Sequence, residues 1–445
     1  MEREGLLRNI DRVLGDRALV WAGIRGEDVE PISDLPQLSG AFSIMSRYSR
    51  RASVEGVAYE ELSGRRVDPE IWDIDDHLGA PSSREFRRGL LRALNGPSAL
   101  LPYRPSQFLS GIAFARRDRC LNLGMWGAHQ SAFDHKPWVE TSIAALGIPH
   151  IPWVYIADEE QLSVSGMFDG RPIILRRSRT SGGEGMVRVD DPSRIVEHWP
   201  NADEGFASVG PYLSGGVPVN VGATVWKDGV TVHRPSVQLI GIPGAVTRPF
   251  GYAGNDFGLV KDMERSLIDE IESSTVRIGL WLKNQGYRGS FGVDYLIHEG
   301  RVLFTEVNPR FQGSTHASAR LSVEEGEACL LLEHIAAHLD MPQPRQRPLW
   351  ELVQQARDLA HLIVHWNGAE ATALDCAPLV VAIRDQPGSN TIELVPGPAV
   401  ICEPGAAIVR WTTRRRLTAD GYSLLPEVAD IGSPMLVPIS TELES

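Results

Sequence analysis

Residues 289–310 have the sequence GSFGVDYLIHEGRVLFTEVNPR. Apolar and polar residues alternate over 290–297 and again over 301–307, which predicts two antiparallel strands. The three residues between them, 298–300 (HEG), predict the connecting loop, since glycine tolerates the backbone angles of a tight turn. The stretch therefore predicts a β-hairpin from which the rest of the chain can be placed.

Three side chains of this hairpin are of the types that bind metal ions. A loop of three residues pairs Ile297 with Arg301. In that register Glu306 lies diagonally across from Asp294 on the same face, and Asn308 joins them because it has the same parity as Glu306. A shift of one residue would separate the acids. Mg²⁺ prefers oxygen ligands, so the face predicts a magnesium site, with an ordinary surface hairpin as the alternative.

A glycine-rich stretch at residues 181–185 (SGGEG) predicts a second binding element. Glycines let the backbone approach a phosphate closely and point N–H groups at it. The stretch contains neither the P-loop pattern nor a convincing GxGxxG, and a plain turn would look the same. Together with the hairpin, and with Arg176, Arg177 and Arg179 before it, the stretch predicts a flap over the phosphates of ATP.

Composition and charge narrow the class of protein. The net charge of −13 over 445 residues makes nucleic acid an unexpected partner, because such binding normally needs a basic surface. No run approaches the ~20 apolar residues of a membrane span, and the N-terminus does not resemble a secretory signal. We therefore expect a cytoplasmic protein that does not bind membranes. The chain has only four lysines, so Lys136, the sole lysine before Lys227, is a candidate for functional retention.

The order of the predicted elements indicates a fold of class α/β and α+β with several domains. We expect an N-terminal α/β domain at residues 1–125 and a small C-terminal α+β subdomain at 343–445. Between them, 126–205 would carry the glycine-rich flap and 206–342 the hairpin. A helix is predicted over 134–147, with Asp134 as its N-cap.

These pieces, in this order, resemble the ATP-grasp superfamily from about Asp134 to Thr315. The motif GVDY…TEVNPR is the most specific part of the resemblance, and DHK…GIPHIP and the SGG-G loop support it. The resemblance implies two α+β subdomains that clasp ATP, preceded by the N-terminal domain and followed by the C-terminal one.

The resemblance also implies roles for individual residues. The ligands of one or two Mg²⁺ ions, for which Mn²⁺ can substitute, would be Asp294, Glu306 and Asn308. The catalytic residues would be Glu306, Asn308 and Arg310, with Arg310 holding the transferring phosphoryl group. Arg176 stands where the family usually has a lysine. The residues that contact ATP would be Lys136, Arg176, Ser181, Gly182, Gly183, Gly185, Tyr212 and Leu213.

The activity implied by the resemblance is that of a carboxylate–amine ligase, which forms an amide through an acyl phosphate and releases ADP. Residues 311–318 (FQGSTHAS) resemble most the peptide ligases of bacterial natural-product pathways, of the pheganomycin type. Ser314 and His316 would lie on the substrate side. The partners would be a small carboxylate and an amine, an amino acid or a peptide, with a homodimer as the expected assembly.

Two alternatives stay open at this point. One is an ATP-grasp enzyme of the biotin-carboxylase or nucleotide-biosynthesis type. The other is a nucleotide-binding module without turnover, against which the joint presence of Lys136, Asp294, Glu306 and Asn308 argues.

Overall fold

The computed structural model describes residues 3–70, 72–77, 79–157, 160, 164, 167–177, 182–199, 205–374, 389–393 and 400–428. Short 3-10 helices lie at Gly26–Ile32, Pro192–His198 and Leu259–Asp262. The α-helices of the described residues are α1 (Arg3–Leu14), α2 (Tyr59–Ser63), α3 (Pro81–Ala93), α4 (Gln107–Ala115), α5 (Gly127–Phe133), α6 (Lys136–Ala145), α7 (Arg265–Asn284), α8 (Thr315–Glu324), α9 (Leu330–His338) and α10 (Leu349–Gln355).

The strands are distributed along the whole chain. They are β1 (Ala18–Gly23), β2 (Leu38–Ser43), β3 (Glu55–Ala58), β4 (Arg65–Arg66), β5 (Ser98–Pro102), β6 (Cys120–Asn122), β7 (Val154–Ala157), β8 (Ile173–Arg176), β9 (Met186–Val189), β10 (Phe206–Pro211), β11 (Val217–Val225), β12 (Val230–Val232), β13 (Ser236–Ile240), β14 (Tyr252–Asp256), β15 (Gly289–His298), β16 (Arg301–Asn308), β17 (Ala360–His365), β18 (Thr372–Leu374), β19 (Ser389–Glu393), β20 (Val400–Cys402) and β21 (Ala407–Thr413).

The N-terminal sheet is parallel and has the strand order β3-β2-β1-β5-β6. Strand β1 (ALVWAG) is apolar throughout because both faces of a parallel sheet are covered by other elements. Trp21 packs on one side with α1 and α9, whereas Val20 packs on the other with α3 and α4. Strands β2 and β3 lie on one side of β1, whereas β5 and β6 lie on its other side. The strand order therefore reverses between β1 and β5.

A smaller antiparallel sheet, the flap sheet, has the order β7-β10-β8-β9. Its core is its own cluster of apolar side chains, among them Ile156, Leu175 and Val209. The glycine-rich stretch connects β8 to β9. The flap sheet thus carries the predicted flap, although Ser181 and Arg179 lie outside the described residues.

The large sheet runs in the order β16-β15-β11-β13-β14-β17-β21-β19, with β12 paired to β11. Alternation along β15 divides its two faces. Phe291 and Val293 pack in one cluster with α7, whereas the Ser290 hydroxyl donates to the carbonyl of Leu330 in α9 at 3.0 Å. Asp294 has the parity of Ser290 and so points away from α7.

The predicted boundary at residue 343 does not interrupt the large sheet. Strands β17, β21 and β19 come from the C-terminal part of the chain and extend the sheet from β14. The segment at this boundary is held to β12, where Gln343 Nε2 donates to the carbonyl of Val230 at 2.9 Å and the Val232 N–H donates to Gln346 Oε1 at 2.9 Å. In the part of the chain that the structure describes, no helix has the length and apolarity needed to cross a membrane.

The register of the hairpin differs from the predicted one. His298 pairs with Arg301, so the loop has two residues, Glu299 and Gly300, both with positive φ. This one-residue shift alone would put the acids on opposite faces. A bulge at Thr305 restores the parity, so the prediction that the acids share a face holds for a different reason.

Candidate active site

Two carboxylates face each other across the hairpin. Asp294 and Glu306 are direct cross-strand partners, and Asn220 on β11 is the partner of Asp294 on its other side. Asn220 Nδ2 donates to Asp294 Oδ1 at 2.6 Å, and Asn308 Nδ2 donates to Asp294 Oδ2 at 2.9 Å. Ser314 Oγ in turn donates to Asn220 Oδ1 at 2.6 Å. Three neighbouring strands therefore present oxygen-bearing side chains on one face, which we call the acidic wall.

The electrostatics of the acidic wall suit a cation. The pKa of Asp294 is raised to about 6, first by burial and then by the charge of Glu306, while the hydrogen bonds from the amides of Asn220 and Asn308 oppose the shift. A divalent cation between the two carboxylates would relieve this repulsion. Within the described residues no group of three or more His, Cys, Asp or Glu side chains is arranged to hold a metal ion. The donor set here is instead two carboxylates and an amide oxygen, which leaves coordination positions for phosphate or water.

Lys136 brings positive charge to the acidic wall. It is the first residue of α6, its side chain is 7% exposed, and its Nζ forms an ion pair with Glu306 Oε1. The predicted helix start was one residue early. Asp134 is instead the C-cap of α5. His135 is the N-cap of α6, and its Nδ1 accepts a hydrogen bond from the Trp138 N–H at 3.4 Å. The helix begins later than predicted because the residues before it form a separate short helix, α5.

The opposite wall of the site, the cationic wall, comes from the flap sheet. Arg176 on β8 is 2% exposed and forms an ion pair with Glu140, one turn after Lys136 on α6. The guanidinium carbon lies 4.0 Å from the ring centroid of Trp153. The hydroxyl of Tyr155 donates to the other oxygen of Glu140 at 2.8 Å. These contacts fix the guanidinium plane at the predicted position of the family lysine.

The glycine-rich flap approaches two other segments of the chain closely. Gly182 and Gly183 have φ values of +58° and +75°, which disfavour other residues. A Cβ on Gly182 would lie 2.7 Å from the side chain of Glu70, and one on Gly183 would lie 1.9 Å from the carbonyl oxygen of Phe250. Glycine is therefore required for the flap to reach this closed position. Gly185 also has positive φ.

A cleft with about 1300 Å³ of free space, including its opening to solvent, separates the two walls. Tyr212 and Leu213, predicted to contact the nucleotide, line it, and Arg188 stacks on Tyr212 at 4.2 Å from the ring centroid. Ser314 also lines the cleft, whereas His316 is not among its lining residues. The other predicted residues that line it are Arg176, Gly182, Gly183, Asp294, Glu306, Asn308 and Arg310.

His316 is enclosed in a cluster of cations instead. Burial and the charges of Arg410 and Arg25 hold the pKa of His316 well below its usual value. The imidazole is therefore neutral at pH 7. Its position does not place it against the contents of the cleft.

Sequence reasoning missed several polar residues of the site, among them Asn220 and Glu140. Asn220 is a polar residue inside the apolar strand VPVNVGATV, which was an available signal. Glu140 lies four residues after Lys136, so it occupies the same face of α6 and was also open to inference.

Comparisons with known proteins bear on the family and the fold of the chain. The family model of the ATP-grasp domain matches residues 158–314. The arginine-specific large chain of carbamoyl phosphate synthase from Geobacillus stearothermophilus is 25% identical over 167 residues, which are 37% of this chain and 15% of that one. The formate-dependent phosphoribosylglycinamide formyltransferase of Pelobacter propionicus is 24% identical over 225 residues, 49% of this chain and 52% of that one. The matched part of this chain thus spans about half of the length of the formyltransferase and a much smaller share of the synthase chain.

A solved structure extends the similarity of fold to most of the chain. The biotin carboxylase domain of the Hydrogenobacter thermophilus 2-oxoglutarate carboxylase, solved with MgADP, ADP and bicarbonate, matches with a TM-score of 0.60 at 13% identity. The match covers 89% of this chain and 85% of that one. The chain therefore carries an ATP-grasp domain within an overall fold shared with ATP-grasp enzymes.

Proposed function

We propose that the protein is an ATP-dependent carboxylate–amine ligase that forms an amide bond and releases ADP and phosphate. The observation that carries the proposal is the cleft between two walls of opposite character. Asp294 and Glu306 face a flap sheet that carries Arg176, Gly182 and Gly183 on the cleft side. In a nucleoside triphosphate with its bound Mg²⁺, the metal would face the acidic wall and the negative phosphates would face the cationic wall.

Each wall has a distinct role in holding the nucleotide. Asp294, Glu306 and Asn308 would hold one or two Mg²⁺ ions, for which Mn²⁺ can substitute, and the metal would neutralise phosphate charge. Lys136, Arg176 and the backbone of the glycine-rich flap would contact the phosphates. Tyr212 and Leu213, at the end of β10, would lie against the base.

The chemistry requires no nucleophile from the protein. An oxygen of the substrate carboxylate attacks the γ-phosphorus of ATP, the bond to the β-phosphate oxygen breaks, and ADP leaves. The amine then attacks the carbonyl carbon of the acyl phosphate, loses a proton, and expels phosphate as the amide forms. Arg310 lines the cleft, and the carboxylates of Glu70, Asp134 and Glu306 surround it. Its planar guanidinium would orient the carboxylate and stabilise the charge on the phosphoryl group.

An amino acid or a peptide is the substrate class that we propose. Support comes from the resemblance of residues 311–318 to peptide ligases and from Ser314, which lines the cleft. The flap, once closed on Phe250, would exclude water from the acyl phosphate.

The product of nucleotide cleavage tests the proposal. We expect pooled amino acids and peptides, with ATP and Mg²⁺, to give ADP and phosphate, and mass spectrometry of the active pools to find a product joined by loss of water. AMP and pyrophosphate would contradict the acyl-phosphate route. ADP release that depends on bicarbonate alone would favour a carboxylase-type reaction, and tight ATP binding without any release would favour a binding module.

A further inference from the structure

A second cavity, with about 700 Å³ of free space including its opening to solvent, lies beside the nucleotide cleft at the N-terminal sheet. Ala22 and Gly23 at the end of β1 line it, and so does Tyr103 immediately after β5. These are the carboxyl ends of the two strands between which the strand order reverses. In open parallel sheets this crevice is where ligands bind, because the loops diverge there and leave space between them.

The lining of this cavity is mainly apolar, so we call it the apolar cavity. Trp72 forms part of the wall, held between Tyr59 and His77 with ring centroids 4.5 and 5.3 Å away. The charged groups at its margin include an ion pair in which Arg104 contacts Asp73 at 2.5 Å. The apolar side chains that enclose it include Ile24, Ile44, Ile74, Phe86 and Leu109.

The apolar cavity adjoins the nucleotide cleft. Glu70 and Arg310 line both, so they stand where the two spaces meet. A carboxylate bound by the Arg310 guanidinium would lie next to the cleft, and the remainder of that molecule would extend into the apolar cavity. A molecule that occupies both positions would therefore have a carboxylate at one end and an apolar group at the other.

We propose that the carboxylic acid substrate carries an aromatic or branched aliphatic group that occupies the apolar cavity, as in an aromatic amino acid or a peptide bearing one. This inference rests on the proposed function for the identity of the reacting group. A charged or strongly polar side chain would lose its hydration among Ile44, Ile74 and Phe86 with little in return, whereas an apolar one gains from leaving water.

Equilibrium binding tests the inference without turnover. Calorimetry would measure phenylalanine, tryptophan, leucine and phenylacetate against serine, glutamate and lysine, on the full chain with Mg²⁺ and a non-hydrolysable ATP analogue. We expect the apolar acids to bind about tenfold tighter or more, the discrimination that apolar pockets usually reach. Equal or tighter binding of the polar acids, or binding of none of the apolar acids, would overturn the inference.

Two substitutions at one position locate the binding. Ile74→Trp fills the apolar cavity and Ile74→Asn makes it polar, and we expect each to weaken phenylalanine binding about tenfold or more. Binding of the ATP analogue should not change, which also reports that the variants are folded. Leu280→Trp, at a position 40% exposed on α7, is the control for a bulky substitution. Unchanged phenylalanine affinity in both folded Ile74 variants would overturn the inference.

ADP release separates this inference from the proposed function. If the apolar acids bind in the apolar cavity but no amine gives ADP, the ligase proposal fails and the binding inference stands. If polar acids support ADP release and apolar acids do not, the ligase proposal stands and the binding inference fails.

Discussion

The two walls of the cleft are held in place by different kinds of contact. On the acidic wall, strand pairing aligns Asn220, Asp294 and Glu306, and the amides hold Asp294 through hydrogen bonds. On the cationic wall, Arg176 depends on an ion pair with Glu140 in a helix that belongs to neither sheet. The two carboxylates of the acidic wall belong to one hairpin and are aligned by its register, whereas Arg176 and Glu140 meet only where a strand of the flap sheet packs on α6.

The largest effect should come from breaking the ion pair of the cationic wall. Because Arg176 is buried, Glu140→Ala leaves an uncompensated charge, and we expect a loss of about 3–5 kcal/mol in the free energy of unfolding. Urea denaturation would measure it. Glu140→Ala with Arg176→Ala should recover part of the loss, and Glu197→Ala, in the exposed Arg194–Glu197 pair, should change nothing measurable. If Glu140→Ala left the free energy of unfolding unchanged, the ion pair would not be what holds the cationic wall in place.

On the acidic wall we expect a substitution to lower the activity rather than the stability of the protein. Glu306→Gln keeps the shape of the side chain but removes the metal-binding charge, so ADP release should fall about 100-fold or more. Glu299→Gln is the matched control, because Glu299 belongs to the same hairpin and its side chain is 84% exposed. Normal ADP release from Glu306→Gln would show that the metal assignment is wrong.

The flap should be sensitive to the addition of a single methyl group. Gly183→Ala places a Cβ against the carbonyl of Phe250, so we expect ADP release to fall about 10- to 30-fold as closure is lost. Gly170→Ala has the same positive φ cost, but its Cβ meets open space, and it should retain activity. Equal losses in both variants would attribute the effect to backbone strain rather than to closure.

The smallest effect concerns pH and the anchoring of the large sheet. His334 Nδ1 accepts from the Ser290 N–H at 2.9 Å and Nε2 donates to the Leu123 carbonyl at 2.7 Å, so the buried ring is neutral. Burial lowers its pKa from 6.5 to about 4. Between these values the unfolded chain takes up a proton that the folded chain does not, so stability falls as the pH falls.

At pH 5.5 we expect this residue alone to cost about 1.4 kcal/mol relative to neutral pH. Urea denaturation at pH 7.5 and 5.5 should show a smaller difference for His334→Gln than for the unsubstituted protein. His129→Gln, at an exposed position, is the control. An unchanged pH dependence in His334→Gln would show that its ring is not what destabilises the protein in acid.

The sequence predicted what depends on short-range periodicity and missed what depends on distant contacts. Alternation within the hairpin predicted its two strands, but Asp294 and Glu306 share a face only because of the bulge at Thr305, which alternation does not reveal. Glu140 and Asn220 gain their roles only when α6 meets β8 and β11 meets β15. The composition of residues 343–445 likewise did not show that their strands extend the large sheet.

That extension has a consequence for any attempt to study the ATP-grasp domain in isolation. Strand β17 covers the edge of β14, and the polar stretch around Gln343 and Gln346 covers β12. A fragment ending at residue 342 would expose the backbone N–H and carbonyl groups of both strands. Uncovered strand edges pair with other chains, so the expected fate of such a fragment is aggregation.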